Sequence, residues 1–262
     1  ISEPPVLELA IIDLIDVVCF GDTTGVIELE AIGGVPDYLY SFDGNTFQDS
    51  ALLVNLAAGD YEVTVLDANG CETVIDTFID SPPPLVVDAG PDTTINLGFT
   101  ADLDANHVPP FRPVAYTWTP FETLSCADCD DPISTPLFTT TYTVSIVDST
   151  QCQSEDTVTV NVVLDYPIYA PNVFSPNNDE INDRFTLFGN PAARLIRDLK
   201  VFNRWGGLVY QGNNLIPGDT SNGWDGTFNG EILNPDVFVW LAEVEFIDGN
   251  VFTSSGDVLI LR

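Results

Sequence analysis

The sequence predicts an all-β chain, three tandem β-sandwich domains arranged as a string. Three observations carry that prediction. Apolar stretches are short, rich in Val, Ile, Thr, Tyr and Phe, and bounded by Gly, Pro, Asn or Asp, as in Val26-Ile27-Glu28-Leu29-Glu30, Thr157-Val158-Thr159-Val160-Asn161-Val162 and Leu199-Lys200-Val201-Phe202. Such runs read as strands joined by turns. A stretch of sequence recurs at a fixed offset, and the composition changes abruptly at one Pro-rich junction. The single helix-permissive window, about Ala192 to Leu199, is too short to alter the fold class.

The elements follow from the repeat. Tyr61-Glu62-Val63-Thr64-Val65-Leu66-Asp67-Ala68-Asn69-Gly70-Cys71 aligns without gaps on Tyr142-Thr143-Val144-Ser145-Ile146-Val147-Asp148-Ser149-Thr150-Gln151-Cys152, an offset of 81. Each copy reads as an alternating strand, a turn and a Cys. Ile1-Ser2-Glu3-Pro4-Pro5-Val6-Leu7 echoes Ile79-Asp80-Ser81-Pro82-Pro83-Pro84-Leu85. Residues 1–9 are therefore expected to be the end of a preceding repeat, followed by domains at 10–84 and 85–165. The junction Asp165-Tyr166-Pro167-Ile168-Tyr169-Ala170-Pro171 opens the last domain, 166–262.

Charge marks the same junction. The chain has 40 acidic and 7 basic residues, a net charge of -33, yet residues 171–262 hold 12 of the acids and 6 of the bases. A single Lys and so few Arg argue against nucleic acid as a partner, because phosphate contacts need clustered cations. Disorder is disfavoured as well, since 45% of residues are hydrophobic and can form a core. The absence of Met predicts a processed product or a fragment whose export signal lies upstream of Ile1.

No enzymatic constellation is present: no Gly-rich phosphate loop, nucleophile elbow or paired-His motif appears, and the one His, His107, sits in a Pro-flanked polar loop. The chain is expected not to be an enzyme. Five Cys invite disulfides, with zinc as the rival reading at Cys126-Ala127-Asp128-Cys129. Cys19 and Cys71 bracket one domain, and Cys126 and Cys129 suit a tight local loop. Asn177, Asp179, Asn182 and Asp183 cluster oxygens in one loop and are candidate calcium ligands. The competing reading of that loop is a polar turn whose side chains bond their own backbone.

The last domain carries the most specific signal. Pro171-Asn172-Val173-Phe174-Ser175-Pro176-Asn177, Asn182-Asp183-Arg184-Phe185, Val201-Phe202-Asn203-Arg204-Trp205-Gly206, Trp224-Asp225-Gly226-Thr227, Phe246-Ile247-Asp248-Gly249 and the ending Gly256-Asp257-Val258-Leu259-Ile260-Leu261-Arg262 occur in order. Together they resemble the gliding-motility-associated C-terminal domain, the type B sorting domain of type IX secretion. Asn178 and Glu180 stand where that family usually has Gly, and Asp236 where a Gly often precedes the aromatic strand. Cys19-Phe20-Gly21-Asp22, Gly33-Gly34-Val35-Pro36-Asp37-Tyr38, Ala58-Gly59-Asp60-Tyr61 and Asp67-Ala68-Asn69-Gly70-Cys71 resemble the SprB-type repeat of gliding adhesins, which implies a Cys19–Cys71 bridge. Asp88-Ala89-Gly90-Pro91-Asp92, Tyr116-Thr117-Trp118-Thr119-Pro120 and Thr140-Thr141-Tyr142-Thr143-Val144 are similar to a PKD-like immunoglobulin-type module with Trp118 as its core Trp. Relatives often carry a Cys at Asn96 to pair with the Cys152 position; its lack supports Cys126–Cys129 and leaves Cys152 unpaired.

These resemblances imply immunoglobulin-like sandwiches in a secreted, outer-membrane-associated surface protein, an adhesin or filament. The repeats would be spacers, and the last domain would direct export. Recognition is expected at Asn203, Arg204, Trp205, Gly206, Trp224, Asp225, Gly226 and Arg262. The expected partners are the type IX outer-membrane machinery, neighbouring modules of the same long chain, and host or surface glycans. Calcium is the one candidate cofactor. The alternative readings are the tail of a secreted hydrolase and a carbohydrate-binding array.

Overall fold

The computed structural model describes residues 4–110 and 114–261. Strands make up the regular structure, with one short 3-10 turn at Thr220–Asn222 among the described residues. No described helix is long and apolar enough to cross a membrane. The all-β expectation holds, and the helix-permissive window from Ala193 onward is part of the strand Ala193–Phe202. Its register shifts between Ile196 and Asp198, so Ile196 and Leu199, three apart, are both fully buried. A β-bulge at Arg197 thus produces a spacing that reads as helical in the sequence.

The chain divides into two compact units, one of Ile1–Asp88, Ala105–Thr117 and Val144–Asp156, the other of Ala89–Asp104, Trp118–Thr143 and Thr157–Arg262. In the first, Glu8–Ile15, Gly25–Ile32 and Leu52–Leu56 form one antiparallel sheet, and Leu39–Ser41, Gly59–Leu66 and Glu72–Ile79 form another. Ile27, Leu29, Leu53, Val63, Val65 and Ile79 are buried in a shared core. Alternation along Gly25–Ile32 turns Ile27 and Leu29 inward and Glu28 and Glu30 to solvent. Burying each such aliphatic side chain contributes about 1.5–3 kcal/mol, and the acids occupy the face that costs nothing to hydrate.

The repeat is reproduced bond for bond. Asp67 N donates to Cys71 O at 2.9 Å and Gly70 N to Asp67 O at 2.9 Å; Asp148 N donates to Cys152 O at 3.0 Å and Gln151 N to Asp148 O at 3.1 Å. The carboxylate Oδ1 of Asp67 accepts the amides of Asn69 and Cys71, as that of Asp148 accepts those of Thr150 and Cys152. A short carboxylate two residues before an amide can satisfy the turn's donors, which is why Asp opens both turns.

The disulfides correct two expectations, the Cys19–Cys71 bridge and an unpaired Cys152. Cys19 is bonded to Cys152, not Cys71, with Cα atoms 5.6 Å apart; Cys71 is an exposed thiol. The cause is a contact across 133 residues that no local spacing encodes. Cys126 is bonded to Cys129, with Cα atoms 5.9 Å apart, and this loop is held to Trp118, whose indole Nε1 donates to Cys129 O at 2.9 Å. Trp118 is fully buried, as expected of a core tryptophan.

The second unit contains a five-stranded sheet ordered Val173–Phe174, Val251–Ile260, Val237–Phe246, Ala193–Phe202 and Leu208–Leu215, antiparallel except for its first pair. Its core gathers Phe174, Phe185, Trp224, Phe238, Trp240, Val258 and Ile260, and it includes Leu97. Beside Leu97, a Cβ on Gly98 would lie 2.5 Å from the backbone nitrogen of Ala192, so only Gly permits this approach.

Two cysteine variants test the pairing. By loop entropy, Cys152→Ser should cost about 5 kcal/mol, whereas Cys71→Ser should change stability by no more than about 0.5 kcal/mol. Urea unfolding followed by far-UV circular dichroism measures both, and equal losses would contradict the Cys19–Cys152 bond.

Candidate functional site

The turn Asn203–Gly207 joins the strands Ala193–Phe202 and Leu208–Leu215. Asn203 organises it: its side-chain oxygen accepts the amides of Trp205 at 3.0 Å and Gly207 at 2.9 Å, and its backbone N–H donates to Gly207 O at 2.9 Å. Gly206 sits at φ 78°, where a Cβ is unfavourable. With its side-chain oxygen, backbone N–H and backbone carbonyl all bonded within its own turn, Asn203 serves as a scaffold. The turn lifts Trp205 into solvent at 87% exposure.

Arg204 leaves the turn to pair with Asp236, which also accepts the Val237 amide at 2.8 Å. The Arg204 guanidinium, with the Val237 amide, holds the Asp236 carboxyl below the usual carboxylate range. Asp236, one of the three departures from the sorting-domain pattern, is therefore the counter-ion of a candidate site residue. Trp205, Leu208, Phe228, Leu233, Asn234 and the Arg204–Asp236 pair line a groove of about 370 Å³. Phe228, Leu233 and Asn234 were not among the sequence candidates, because the hairpin bearing them meets the turn only through the tertiary fold.

The Trp224-Asp225-Gly226 candidates have a different place. Trp224 is 1% exposed and cannot meet a partner in the folded protein, which corrects its assignment to recognition. Its backbone exchanges hydrogen bonds with Phe185 at 2.8 and 2.9 Å, its indole donates to Thr227 O at 3.0 Å, and its ring lies 5.0 Å from that of Phe238 and 5.3 Å from that of Phe174. Asp225 Oδ1 accepts from the Thr227 hydroxyl at 2.7 Å and its amide at 3.1 Å. Gly226 is buried at φ 73°. These three residues build the domain. Arg262 lies outside the described residues.

The candidate calcium loop is closed by its own amides. Asp183 Oδ1 accepts from Asn177 N at 2.8 Å and Asn178 N at 2.7 Å, and Oδ2 accepts from Glu180 N at 2.8 Å. Asp179 Oδ1 takes the Ile181 amide at 2.9 Å, Oδ2 takes the Asn177 side-chain amide at 2.9 Å, and Asn182 O accepts from Ser175 N at 2.9 Å. Among the described residues no cluster of three His, Cys, Asp or Glu has metal-holding geometry. Desolvation pushes the Asp183 carboxyl up, but the three amides and Arg184 outweigh it and hold it below its ordinary value. Asn178 at φ 62° and Glu180 at φ 67° lie in the left-handed region that Gly adopts most readily.

Fold and site together define a compact β-sandwich domain whose exposed chemistry is that of contact, an indole beside a paired Arg and Asp. Residues 168–257 match the CHU_C Type IX secretion signal domain family. Such a domain implies recognition by the type IX secretion machinery and export across the outer membrane to the cell surface or extracellular space. A comparison with curated proteins finds no match. Among solved structures the chain is similar to Sidekick-1 immunoglobulin domains 1–5, at 11% identity and TM-score 0.39 over 99% of this chain and 60% of that one. It is also similar to the I9–I11 tandem of titin (11%, TM-score 0.42, 97% and 99%) and to Drosophila N-cadherin EC1–4 (11%, TM-score 0.31, 100% and 76%).

Three measurements bear on the loop. Glu180→Gly should raise stability by about 1 kcal/mol by relieving a left-handed non-Gly residue, and a loss in urea unfolding would refute that strain. Calcium addition and its chelation separate the two readings of the loop: a calcium-dependent rise in melting temperature supports the cation site, and an unchanged one supports the self-bonded polar turn. Because the folded pKa of Asp183 is depressed, its contribution is present above the unfolded value near ~4 and is lost as pH falls through the folded one. Asp183→Asn should accordingly flatten the acid limb of the stability curve below about pH 4.

Proposed function

We propose that this chain is the non-enzymatic C-terminal part of a secreted cell-surface adhesin or filament protein. In this reading the repeat copies are spacers, and the domain from residue 166 onward directs type IX secretion and surface attachment. The match of residues 168–257 to a type IX secretion signal domain carries the reading. The position of the acids supports the spacer role: with most of the net charge of -33 outside the last domain, an array of such copies repels itself and stays solvated. In this reading recognition falls on Arg204 and Trp205, because an exposed indole gains from being covered by a partner, and Trp residues dominate interface energetics.

Removal of residues 166–262 should retain the protein inside the envelope, and surface display of that truncation would defeat the export reading. Trp205→Ala should reduce display while leaving the melting temperature of the purified chain unchanged. Trp224→Ala should instead cost about 3–5 kcal/mol in folding. Normal display of Trp205→Ala, with export still dependent on the domain, would move recognition to another face.

A further inference from the structure

The core of the last domain includes a residue from the domain before it. Leu97 follows the strand Thr93–Asn96, which pairs in parallel with the end of Gln153–Val163, and its N–H donates to Val163 O at 3.0 Å. Its side chain is fully buried in the cluster that holds Phe174, Leu187, Ala192, Ile196 and Phe246. Among the described residues it is the only buried member of that cluster from ahead of residue 166. Leu137 and Val162, partly buried, pack against the same cluster from the same domain.

Backbone sets the fit at this point. Residues 96–99 close as a turn, Phe99 N donating to Asn96 O at 3.1 Å, with Gly98 at φ 86°. A Cβ on Gly98 would meet Ala192 N at 2.5 Å, the Pro191 carbonyl carbon at 2.8 Å and Ala192 Cα at 2.9 Å, so main chain lies against main chain and no flexible side chain can yield. The segment it meets is fixed within the last domain: Ala192 N and Ala193 N donate to Asn190 Oδ1 and O at 3.1 and 3.0 Å, and Ile247 N donates to Ala192 O at 2.9 Å. The junction is clamped as well, because the Tyr166 ring lies 4.9 Å from that of Phe246 and 4.5 Å from that of Phe252, and its hydroxyl donates to Asp248 Oδ2 at 2.7 Å. Leu97, Gly98 and Tyr166 all lie outside residues 168–257, the stretch that matches the secretion signal domain.

We propose that the export signal is completed by the domain before it: the turn at residues 96–99 supplies Leu97 to its core, so residues 166–262 reach their export-competent fold only once residues 85–165 have folded. The inference rests on the reading of the last domain as the export signal. Withdrawing a buried Leu side chain removes its apolar burial and leaves a cavity that the surroundings fill only in part. A chain whose preceding domain is unfolded therefore carries a loosened signal, and export depends on the folding of more than the signal itself. Leu97 is a positioning residue in this scheme. Fully buried, it cannot touch the export machinery and acts only through the fold of the last domain.

The test pairs surface display of the native protein with amide hydrogen exchange of the purified chain. Leu97→Ala should speed exchange in Val237–Phe246 at least ~30-fold, with Thr140–Asp148 of the preceding domain little changed. It should also lower display several-fold, and Leu97→Met, which nearly conserves volume, should restore both. Gly98→Ala should act like Leu97→Ala by forcing the two segments apart. Gly90→Ala is its control: Gly90 is left-handed at φ 76°, and an added Cβ would meet Asp104 O at an ordinary 3.6 Å, so the backbone strain is matched and display should be normal. Faster exchange in Val237–Phe246 with undiminished display would overturn the inference and leave the export reading standing. So would equal losses from Gly98→Ala and Gly90→Ala, or exchange that quickens only in Thr140–Asp148. Normal display after removal of residues 166–262 would instead overturn the export reading, and the inference with it.

Discussion

A chain with 40 carboxylates and 7 cationic side chains cannot satisfy its acids by ion pairing. Backbone N–H groups take that role, and the loops depend on it. Asp43, Asp67, Asp148, Asp183, Asp219 and Asp225 each accept at least one amide of their own turn. The amides of Thr46 and Asn45 pull the Asp43 carboxyl well below its ordinary range, and the Val35 amide does the same for Asp67 ahead of those of Cys71 and Asn69. The acids that give the chain its charge are thus also the fasteners of its turns. A bond from an amide to a charged acceptor is stronger than a neutral one and requires no counter-ion.

In the last domain the same economy separates support from contact. Trp224 fills the core and ties Phe185 to the Thr227 turn, whereas Trp205 stands in solvent on a turn closed by one Asn side chain. The basic residues serve the sheet as well: Arg194 and Arg197 both reach Glu245, at 3.3 and 2.8 Å, and Lys200 pairs with Asp198. Such exposed pairs contribute little to stability, and their consequence is that Arg204, though paired, is the cation lining the groove beside Trp205.

Much of this was legible in the sequence. Alternation exposed Glu28 and Glu30 against Ile27 and Leu29, because a strand's period of two is a local property. The offset of 81 foretold two turns whose hydrogen bonds coincide, since both are built from neighbours within five residues. Less legible was the difference between the two tryptophans, each flanked by Asp, Asn, Arg or Gly; burial follows from which sheet covers the ring. The spacing of Ile196 and Leu199 is helix-permissive in the sequence because a bulge leaves no compositional mark.

By itself, then, the sequence determined the strand content, the Asp-anchored turns, the concentration of acid outside the last domain and the order of motifs that marks residues 168–257 as a secretion signal domain. The tertiary structure alone decided that Cys19 meets Cys152, that Asp236 balances Arg204, and that Trp224 is inside while Trp205 is out. The physical reason is the range of the interactions. Turn closure and strand alternation are settled between residues a few positions apart, whereas a disulfide spanning 133 residues and an ion pair spanning 32 depend on how distant strands come to lie beside one another.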